Sequence, residues 1–220
     1  MTENTTPTNF GYWKDLLADA PASYREWFAA EEEFLRRNIP SGSRILEVGC
    51  GEGRSLEYIS KLGRLYGVDY NPQAVVEAGQ RFFGIPEVSV LMENGKDLPF
   101  RDQWFDRTIC LTTPVNFGKD RDQFYSEMRR VTKDDGAVLL SVFNEDQSTF
   151  EERMKFYKIC QVPIIKVDGT TVHFDYPHGA SSSEQFSRDQ LEEIFRENGF
   201  VPVEISKKGI GYFCLVHKQL

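Results

Sequence analysis

The sequence predicts an α/β fold in which strands and helices alternate around one mainly parallel sheet. Short apolar runs of strand length alternate along the chain with segments whose apolar residues recur every three or four positions. One early run, Ile45 to Val48, passes directly into a glycine-rich loop that is followed by a helical pattern. Strands joined by helices of this length pair in parallel through right-handed crossovers.

Length and composition limit the classes of protein to consider. A chain of 220 residues can bury one substantial core, which favours one domain spanning residues 1–220 over two small ones. The net charge of −8, from 26 basic and 34 acidic residues, disfavours a nucleic-acid partner. The four cysteines follow no metal-ligand spacing, so we expect reduced thiols and no metal site.

The N-terminal region predicts a soluble cytoplasmic protein with no membrane partner. It lacks the basic-then-apolar pattern of a signal peptide, and no apolar run in the chain approaches the roughly 20 residues that cross a bilayer. Residues 1–9 have the composition of a flexible tail. Residues 10–42 then show helical spacing on both sides of Pro21, which predicts two covering helices before the first strand.

The loop after the first strand has glycines at alternate positions, Gly49, Gly51 and Gly53. Glycine allows the positive φ that a sharp strand-to-helix turn needs, and its missing Cβ lets a ligand approach the main chain. A phosphate-binding Walker loop would place its first glycine at Val48 and its lysine at Arg54, so that pattern does not match.

The remaining spacing points to a nucleoside. A dinucleotide-binding loop of the form G-x-G-x-x-G would place its third glycine at Arg54, whereas the third glycine here comes one residue earlier. An NAD-binding domain therefore stays a disfavoured alternative. The observed pattern is acid-x-G-x-G-x-G from Glu47, followed by Asp69 at the end of the next apolar run. An acid at that position is placed to accept both ribose hydroxyls of a nucleoside.

These two segments resemble motif I and the following acidic motif of class I S-adenosylmethionine-dependent methyltransferases. The resemblance is to the small-molecule branch, similar to methyltransferase types 11 and 25, and covers residues 43–143 and 187–217. It implies a Rossmann-like seven-stranded sheet in the order 3-2-1-4-5-7-6, with the last strand antiparallel and helices on both faces. It also implies S-adenosylmethionine as cofactor and S-adenosylhomocysteine as product.

The resemblance also implies a set of site residues. Glu47 would support the loop or the methionine amine, and Asp69 would hold the ribose. The segment Glu93–Phe100 resembles the family's G-D-A-x-x-L-P-F segment near the adenine, although Asn94 stands at the acid's position and Asp97 is the alternative contact. The predicted cofactor-binding residues are Glu47, Gly49, Cys50, Gly51, Gly53, Asp69, Tyr70, Asn94, Gly95 and Thr112.

The elements of the predicted core follow in order after Gly53. A helix with Leu56, Ile59 and Leu62 on one face is expected to end at Gly63, a natural C-terminal glycine. Pro72 begins the next helix, whose predicted buried stripe is Ala74, Val75, Ala78, Phe82 and Phe83. We expect strands at 88–91, 105–111 and 137–143, a helix at 120–131 and a turn at 133–136.

Residues 144–186 interrupt the family core and predict a lid over the acceptor. A helix is expected at 150–160, a β-hairpin at 164–174 around Asp168 and Gly169, and a solvated connection at 181–183. The polar and aromatic candidates for catalysis are Tyr157, His173, Tyr176 and His178, none of which is assigned as a general base. By resemblance, Tyr12, Trp13 and Trp27 of the N-terminal helices would help to enclose the acceptor.

The last segment, 187–220, predicts a helix with a cap at Ser187, followed by strands at 201–205 and 212–216. The function implied is methyl transfer to an oxygen, nitrogen or carbon nucleophile of a small molecule by in-line displacement. Transfer to a protein or RNA, or binding of S-adenosylmethionine without catalysis, are the alternatives. The loop 112–117 lacks the motif of enzymes that methylate nucleobase amino groups. The sequence predicts neither the acceptor's identity nor the oligomeric state.

Overall fold

A computed structural model describes residues 19–175 and 182–219 of the chain. Its helices are α1 (Ala22–Asn38), α2 (Arg54–Ile59), α3 (Pro72–Arg81), α4 (Arg121–Val131), α5 (Gln147–Ile159) and α6 (Arg188–Glu197). Its strands are β1 (Ser43–Val48), β2 (Gly63–Asp69), β3 (Val88–Met92), β4 (Phe105–Leu111), β5 (Thr132–Phe143), β6 (Ile164–Asp168), β7 (Thr171–Phe174), β8 (Ser182–Ser183), β9 (Phe200–Lys208) and β10 (Gly211–Lys218).

Seven of these strands form the main sheet, in the order β3-β2-β1-β4-β5-β10-β9. Numbered without the three strands of the smaller sheet, this order is 3-2-1-4-5-7-6. Strand β1 pairs in parallel with β2 and β4, whereas β10 runs antiparallel to both β5 and β9. The predicted α/β class with a seven-stranded sheet is therefore confirmed.

The core lies along the central strands and under α1. Ile45, Leu46, Ile109 and Leu139 are fully buried, as expected for parallel strands covered on both faces. Helix α1 packs across this sheet through aromatic rings: the ring centroids of Trp27 and Phe143 are 4.8 Å apart. This packing places the N-terminal half of α1 beside the end of β5. The first predicted N-terminal helix, with Tyr12 and Trp13, falls outside the described residues.

Local sequence signals correctly predicted the start of two helices and the turn of one hairpin. Asn71 caps α3, because its side chain accepts a hydrogen bond from the Gln73 N–H, and Pro72 occupies the first turn. Ser187 and Gln190 form a reciprocal capping box at the start of α6. The Asp168–Gly169 hairpin is also present, with Gly169 at φ +59°.

Two predictions about α2 and α3 were wrong. Gly63 does not end α2; it begins β2, and a Cβ at that position would lie 1.9 Å from the Ser43 carbonyl oxygen. The glycine is therefore required by close pairing of strands rather than by a helix cap. Phe83 is not part of the buried stripe of α3, since the helix ends at Arg81 and the Phe83 side chain is 90 % exposed.

Two predicted connections are strand instead. Residues 133–136 belong to the long strand β5, with a register shift of the β4–β5 pairing at this point. Ser182 and Ser183 are buried and form β8, which pairs with β7. The predicted hairpin is thus a three-stranded sheet, β6-β7-β8, which together with α5 is called the lid below. Within 19–175 and 182–219, no helix is long and apolar enough to span a membrane.

Candidate active site

A cavity of about 1040 Å³ lies at the carboxyl ends of β1, β2, β4 and β5. One end is lined by the glycine loop and by Asp69, and the other end by the lid. In an open α/β sheet this edge is where ligands bind, because the connections there splay apart. The same cavity therefore contacts the predicted cofactor residues and the predicted acceptor lid.

The glycine loop has the backbone that its spacing predicts. Gly49, Gly51 and Gly53 have φ values of +76°, +52° and +81°, a region that side chains with a Cβ rarely adopt. A Cβ at Gly49 would lie 2.4 Å from Thr113 Oγ1, whereas a Cβ at Gly51 would meet nothing within 4 Å. The space beside Gly51 is thus open for a ligand. Gly53 does not line the cavity; it packs against Phe82.

Asp69 is fixed by the backbone on both sides. Its Oδ2 accepts a hydrogen bond of 2.8 Å from the Gly51 N–H, and its Oδ1 accepts one of 2.8 Å from the Asn71 N–H. Burial raises the pKa of Asp69, although these backbone donors oppose the effect. Asp69 lines the cavity, and each of its carboxylate oxygens can accept a further bond, so the carboxylate has capacity for two hydroxyl donors there.

Glu47 lies under the loop and is 1 % exposed. The Ser55 hydroxyl donates a hydrogen bond to Glu47 Oε1, whereas Oε2 is buried with no hydrogen-bond partner among the described residues. Burial raises the pKa of Glu47 to about 8. The Ser55 hydrogen bond and the nearby charge of Arg54 lower this pKa, but the effect of burial is larger. A buried carboxyl with one unused oxygen at a cavity wall is suited to a cationic ligand group.

An ion pair next to Glu47 joins α1 to α2. Arg54 Nη2 lies 2.6 Å from Glu31 Oε2, and the guanidinium stacks on the Phe28 ring at 4.0 Å. Glu31 is fully buried and also accepts a hydrogen bond of 2.6 Å from the Ser141 hydroxyl. The pair therefore ties α1 to the glycine loop and to β5. The sequence pattern gives no sign of the roles of Arg54 and Glu31, because their pairing joins distant segments.

The loop after β4 carries a strained residue. Thr112 has φ +61°, which is unusual for a β-branched side chain, and its N–H donates to Ser141 O and Oγ, both at 2.9 Å. Its hydroxyl is buried with no partner among the described residues. Thr113 Oγ1 donates to the Gly49 carbonyl at 3.2 Å, so this loop and the glycine loop support each other.

The end of the cavity beyond Asp69 is half open. Tyr70 is 56 % exposed, and Asn94 is exposed with its Oδ1 accepting a hydrogen bond of 3.1 Å from the Lys96 N–H. Gly95 is buried, and a Cβ there would lie 2.7 Å from the Phe124 ring. Phe117 stacks on Phe124 with centroids 3.9 Å apart. Aromatic faces thus line the region predicted for the adenine.

The lid closes the other end of the cavity with aromatic walls. Tyr157 and His173 both line it, and so do Tyr24 and Phe28 of α1 and Phe143 of β5. Trp27 does not line the cavity; it is buried against Phe143 and Gly211, so the expectation that it encloses the acceptor was wrong. Tyr176 and His178 lie outside the described residues.

Comparison with known proteins gives the family. A family model described as a methyltransferase domain matches residues 46–140. The chain is 30 % identical over 202 residues to a demethylmenaquinone methyltransferase of Geobacillus kaustophilus, covering 86 % of this chain and 84 % of that protein. The chain belongs to the class I S-adenosylmethionine-dependent methyltransferases.

Solved methyltransferase structures have the same fold. A S-adenosylmethionine-dependent methyltransferase of Methanosarcina mazei superposes with a TM-score of 0.67 at 20 % identity, covering 84 % of this chain and 97 % of that one. A Burkholderia thailandensis 1,6-didemethyltoxoflavin-N1-methyltransferase, solved with 1,6-didemethyltoxoflavin and S-adenosylhomocysteine, superposes with a TM-score of 0.64 at 17 % identity, covering 94 % and 81 %. The cofactor of this methyltransferase is S-adenosylmethionine.

The residues at the cavity fit this cofactor on three independent observations. The wall beside Gly51 is open where a Cβ would otherwise project. Asp69 presents two carboxylate oxygens with unused acceptor capacity, and Glu47 holds an oxygen without a partner among the described residues. A ribose with two hydroxyls and a methionine with a cationic amine match these groups.

Proposed function

We propose that this methyltransferase transfers a methyl group to a small molecule bound under the lid. The observation that carries the proposal is the single cavity that joins the glycine loop and Asp69 to the lid. A donor held on the loop and an acceptor held under the lid would meet inside this cavity. Its volume of about 1040 Å³ is at the upper end of the range for small-ligand pockets, as two bound molecules would need.

The proposed cofactor contacts follow the order of groups along the cavity. Asp69 holds the ribose hydroxyls, and Glu47, through the oxygen that Ser55 does not occupy, supports the methionine amine. Tyr70, Asn94 and the Gly95 backbone lie where the adenine edge is expected. Gly49, Cys50, Gly51 and Thr112 line the middle of the cavity, and Gly53 acts indirectly by shaping the loop.

The chain's own part in the reaction is to position the donor and the acceptor and to exclude water. S-adenosylmethionine, when bound, supplies an activated methyl group that a nucleophile displaces directly while the sulfur takes the electrons of the broken bond. The loop fixes the donor end, and the lid with α1 fixes the acceptor, so that the two meet in line. Tyr157, His173, Tyr176 and His178 remain candidate catalytic residues.

We propose a flat ring as the acceptor. Tyr24, Phe28, Phe143 and Tyr157 surround the lid end of the cavity, and stacked or edge-on rings are favourable neighbours of such walls. The names of the demethylmenaquinone and didemethyltoxoflavin enzymes give ring compounds as the acceptors of these relatives. A cytoplasmic location stays a prediction, tested by fractionating cells that carry the tagged protein.

The experiment follows a deuterated methyl group. The protein is incubated with S-adenosylmethionine labelled in its methyl group and with a cell extract divided into small-molecule and macromolecular fractions. We expect label in a product of the small-molecule fraction by mass spectrometry, and none with Asp69→Ala. Label in protein or RNA would contradict the small-molecule proposal. Saturable cofactor binding with no labelled product in either fraction would identify a non-catalytic binding protein.

A further inference from the structure

Arg153 of α5 is a buried cation at the lid, close to the cavity. Its side chain is 0 % exposed, and its guanidinium lies 4.8 Å from the centroid of the Phe143 ring and 5.7 Å from that of Tyr157. Both rings line the cavity, so the charge lies one side chain behind its wall. Burying a guanidinium is costly, and a nearby anion normally compensates for the cost.

No carboxylate compensates Arg153 within residues 19–175 and 182–219. Its five N–H donors are all used by neutral acceptors. Nε donates to the Tyr157 hydroxyl at 3.5 Å, and Nη1 donates to Thr170 O at 3.0 Å and Gln185 Oε1 at 2.9 Å. Nη2 donates to Ser183 O and Oγ, both at 2.8 Å. The guanidinium is thus satisfied in hydrogen bonds while its charge stays uncompensated there.

The hydroxyls of Tyr157 and Ser183 form a pair in front of this charge. They are 2.7 Å apart, and both residues line the cavity. Each oxygen already accepts a hydrogen bond from Arg153, and the Tyr157 hydroxyl donates the bond within the pair to Ser183 Oγ. The Ser183 hydroxyl proton has no acceptor among the described residues. The pair can therefore donate one hydrogen bond to a ligand.

The other charged groups around the lid end are paired. Glu31 pairs with Arg54, Arg121 with Glu184, and Glu152 with Lys155. Each of these pairs is neutral as a whole, so none compensates the charge of Arg153.

Burial keeps two further groups at the lid end uncharged at neutral pH, because it raises the pKa of Tyr24 well above its ordinary value and that of Cys160 to about 11. Asp175 follows β7 and is exposed, so solvent screens its charge. The carboxyl groups of the glycine-loop end lie where the cofactor is expected. Arg153 is therefore the charged group that contacts the Tyr157–Ser183 pair.

We propose that the acceptor binds as an oxyanion, a phenolate- or enolate-type oxygen, at the Tyr157–Ser183 hydroxyl pair, with Arg153 supplying the opposite charge. This proposal rests on the proposed function, because it concerns the acceptor of the same cavity. An acceptor that arrives ionised has no proton to lose when its oxygen lone pair forms the bond to the methyl carbon. Tyr157, Ser183 and Arg153 are positioning residues in this scheme.

The test uses 4-nitrophenol, whose visible absorbance reports its ionisation, with the protein saturated with S-adenosylhomocysteine. No methyl transfer can occur under these conditions, so failure here and failure of the proposed function are distinguishable. We expect the apparent pKa of the bound probe to fall by about one unit, which is about a tenfold increase in its acid dissociation constant. We also expect 4-nitroanisole, which cannot ionise, to bind more weakly than 4-nitrophenolate.

Variants separate the hydroxyl pair from a structural role. Tyr157→Phe and Ser183→Ala should each weaken 4-nitrophenolate binding by less than about twofold, because the remaining hydroxyl keeps a proton to donate. The double variant should lose about tenfold or more, well above the roughly fourfold that two independent losses would give. Tyr66→Phe, which removes a hydroxyl away from the cavity, should change nothing. Additive losses from the two single variants would contradict the shared donor.

Arg153→Lys and Arg153→Met separate charge from packing. Both lose hydrogen bonds and should lower the melting temperature, but only the lysine variant should keep the shift in the probe's pKa. Lys158→Gln, which removes an exposed cation from the same helix, should keep the shift as well and serves as the matched control for charge. The wild-type comparison of the two probes decides the matter even if Arg153→Met does not fold. An unshifted or raised pKa of the bound probe would overturn the proposal. So would 4-nitrophenolate binding no more tightly than 4-nitroanisole, or no detectable binding of either probe.

Discussion

Asp69 connects the loop, the next helix and the proposed ribose site. Its two oxygens are held by N–H groups of Gly51 and Asn71, so the carboxylate is oriented before any ligand binds. A preorganised carboxylate loses little conformational entropy when the ribose binds, so little of the free energy of each ribose hydrogen bond is offset. The position of Asp69 therefore gives the most direct variant for the cofactor end of the site.

Replacing Asp69 by alanine should abolish most cofactor binding. Two hydrogen bonds to a charged group contribute about 1.5 to 3 kcal/mol each, so affinity should fall at least about a hundredfold. Isothermal titration with S-adenosylhomocysteine measures the change. Glu87→Ala removes an exposed acid that does not line the cavity and serves as the control. Unchanged affinity in Asp69→Ala would refute the ribose assignment.

Glu47 should make the stability of the cofactor-free protein depend on pH. Burial raises its folded-state pKa to about 8, whereas an unfolded chain has a value of about 4.3. Between these values the folded state holds a proton that the unfolded state has released. The contribution is therefore complete below about pH 4.3 and falls by up to about 5 kcal/mol as the pH rises to about 8.

Glu47→Gln, which is neutral at every pH, should not show this loss. Urea unfolding of both proteins without cofactor, at about pH 5 and about pH 8, gives the difference between their free energies of unfolding. We expect the two proteins to be closest in stability at the lower pH and the glutamine variant to be the more stable at the higher pH. A constant difference would show that Glu47 is not protonated in the folded protein.

Residues with a local backbone requirement were the ones that the sequence could predict. The glycines at 49, 51 and 53 follow from the turn itself, and Asp69 follows from its place at the end of a strand. Tyr24 and Arg153 could not be found in this way, because their partners lie far away along the chain. An aromatic or basic residue at helical spacing gives no sign of which distant surface it will contact.

At the scale of elements, α1 is held to the sheet by a buried ion pair as well as by its rings. Glu31 lies against Arg54 of α2 and accepts a hydrogen bond from Ser141 of β5. This contact fixes Tyr24 and Phe28 of the same helix at the cavity wall. The acceptor end of the site therefore depends on a contact at its donor end.

Glu31→Ala should destabilise the protein by about 3 kcal/mol, because it removes the buried carboxylate of this pair. Denaturant unfolding measures the loss. Glu32→Ala breaks an exposed pair with Arg36 and should cost about 0.5 kcal/mol or less, which makes it a matched control on the adjacent position. Equal losses in the two variants would contradict the role of Glu31 in holding α1.

The lid shows why some elements escape prediction. Three consecutive serines are typical of a solvated connection, yet Ser182 and Ser183 are buried in β8. Arg153 explains the difference, since it donates two hydrogen bonds to Ser183 from another element. The hairpin was predictable because its turn is local. The third strand was not, because its stability comes from a side chain 30 residues away in sequence.

At the scale of the whole molecule, the alternation of strands and helices predicted a mainly parallel sheet, because it allows few topologies. The resemblance to a family then supplied the strand order and the antiparallel last strand. The described part of the lid packs on this framework and completes the cavity without taking part in the sheet. Ligand binding at the sheet edge should consequently stabilise the domain as a unit.

S-adenosylhomocysteine at about 100 times its dissociation constant should stabilise the folded protein by about 2.7 kcal/mol. For a chain of this length, that corresponds to a rise of about 5 to 10 °C in melting temperature. Thermal unfolding with and without the ligand measures the shift. Asp69→Ala should show almost none at the same concentration, and a full shift in this variant would place the ligand elsewhere.

The central claim is that the donor and the acceptor share one cavity beneath the lid. A crystal structure with S-adenosylhomocysteine bound tests it most directly. We expect the ribose hydroxyls on Asp69 and the sulfur atom facing the open space in front of Tyr157 and Ser183. A sulfur atom sealed from the lid by protein atoms, or a ribose away from Asp69, would contradict the account.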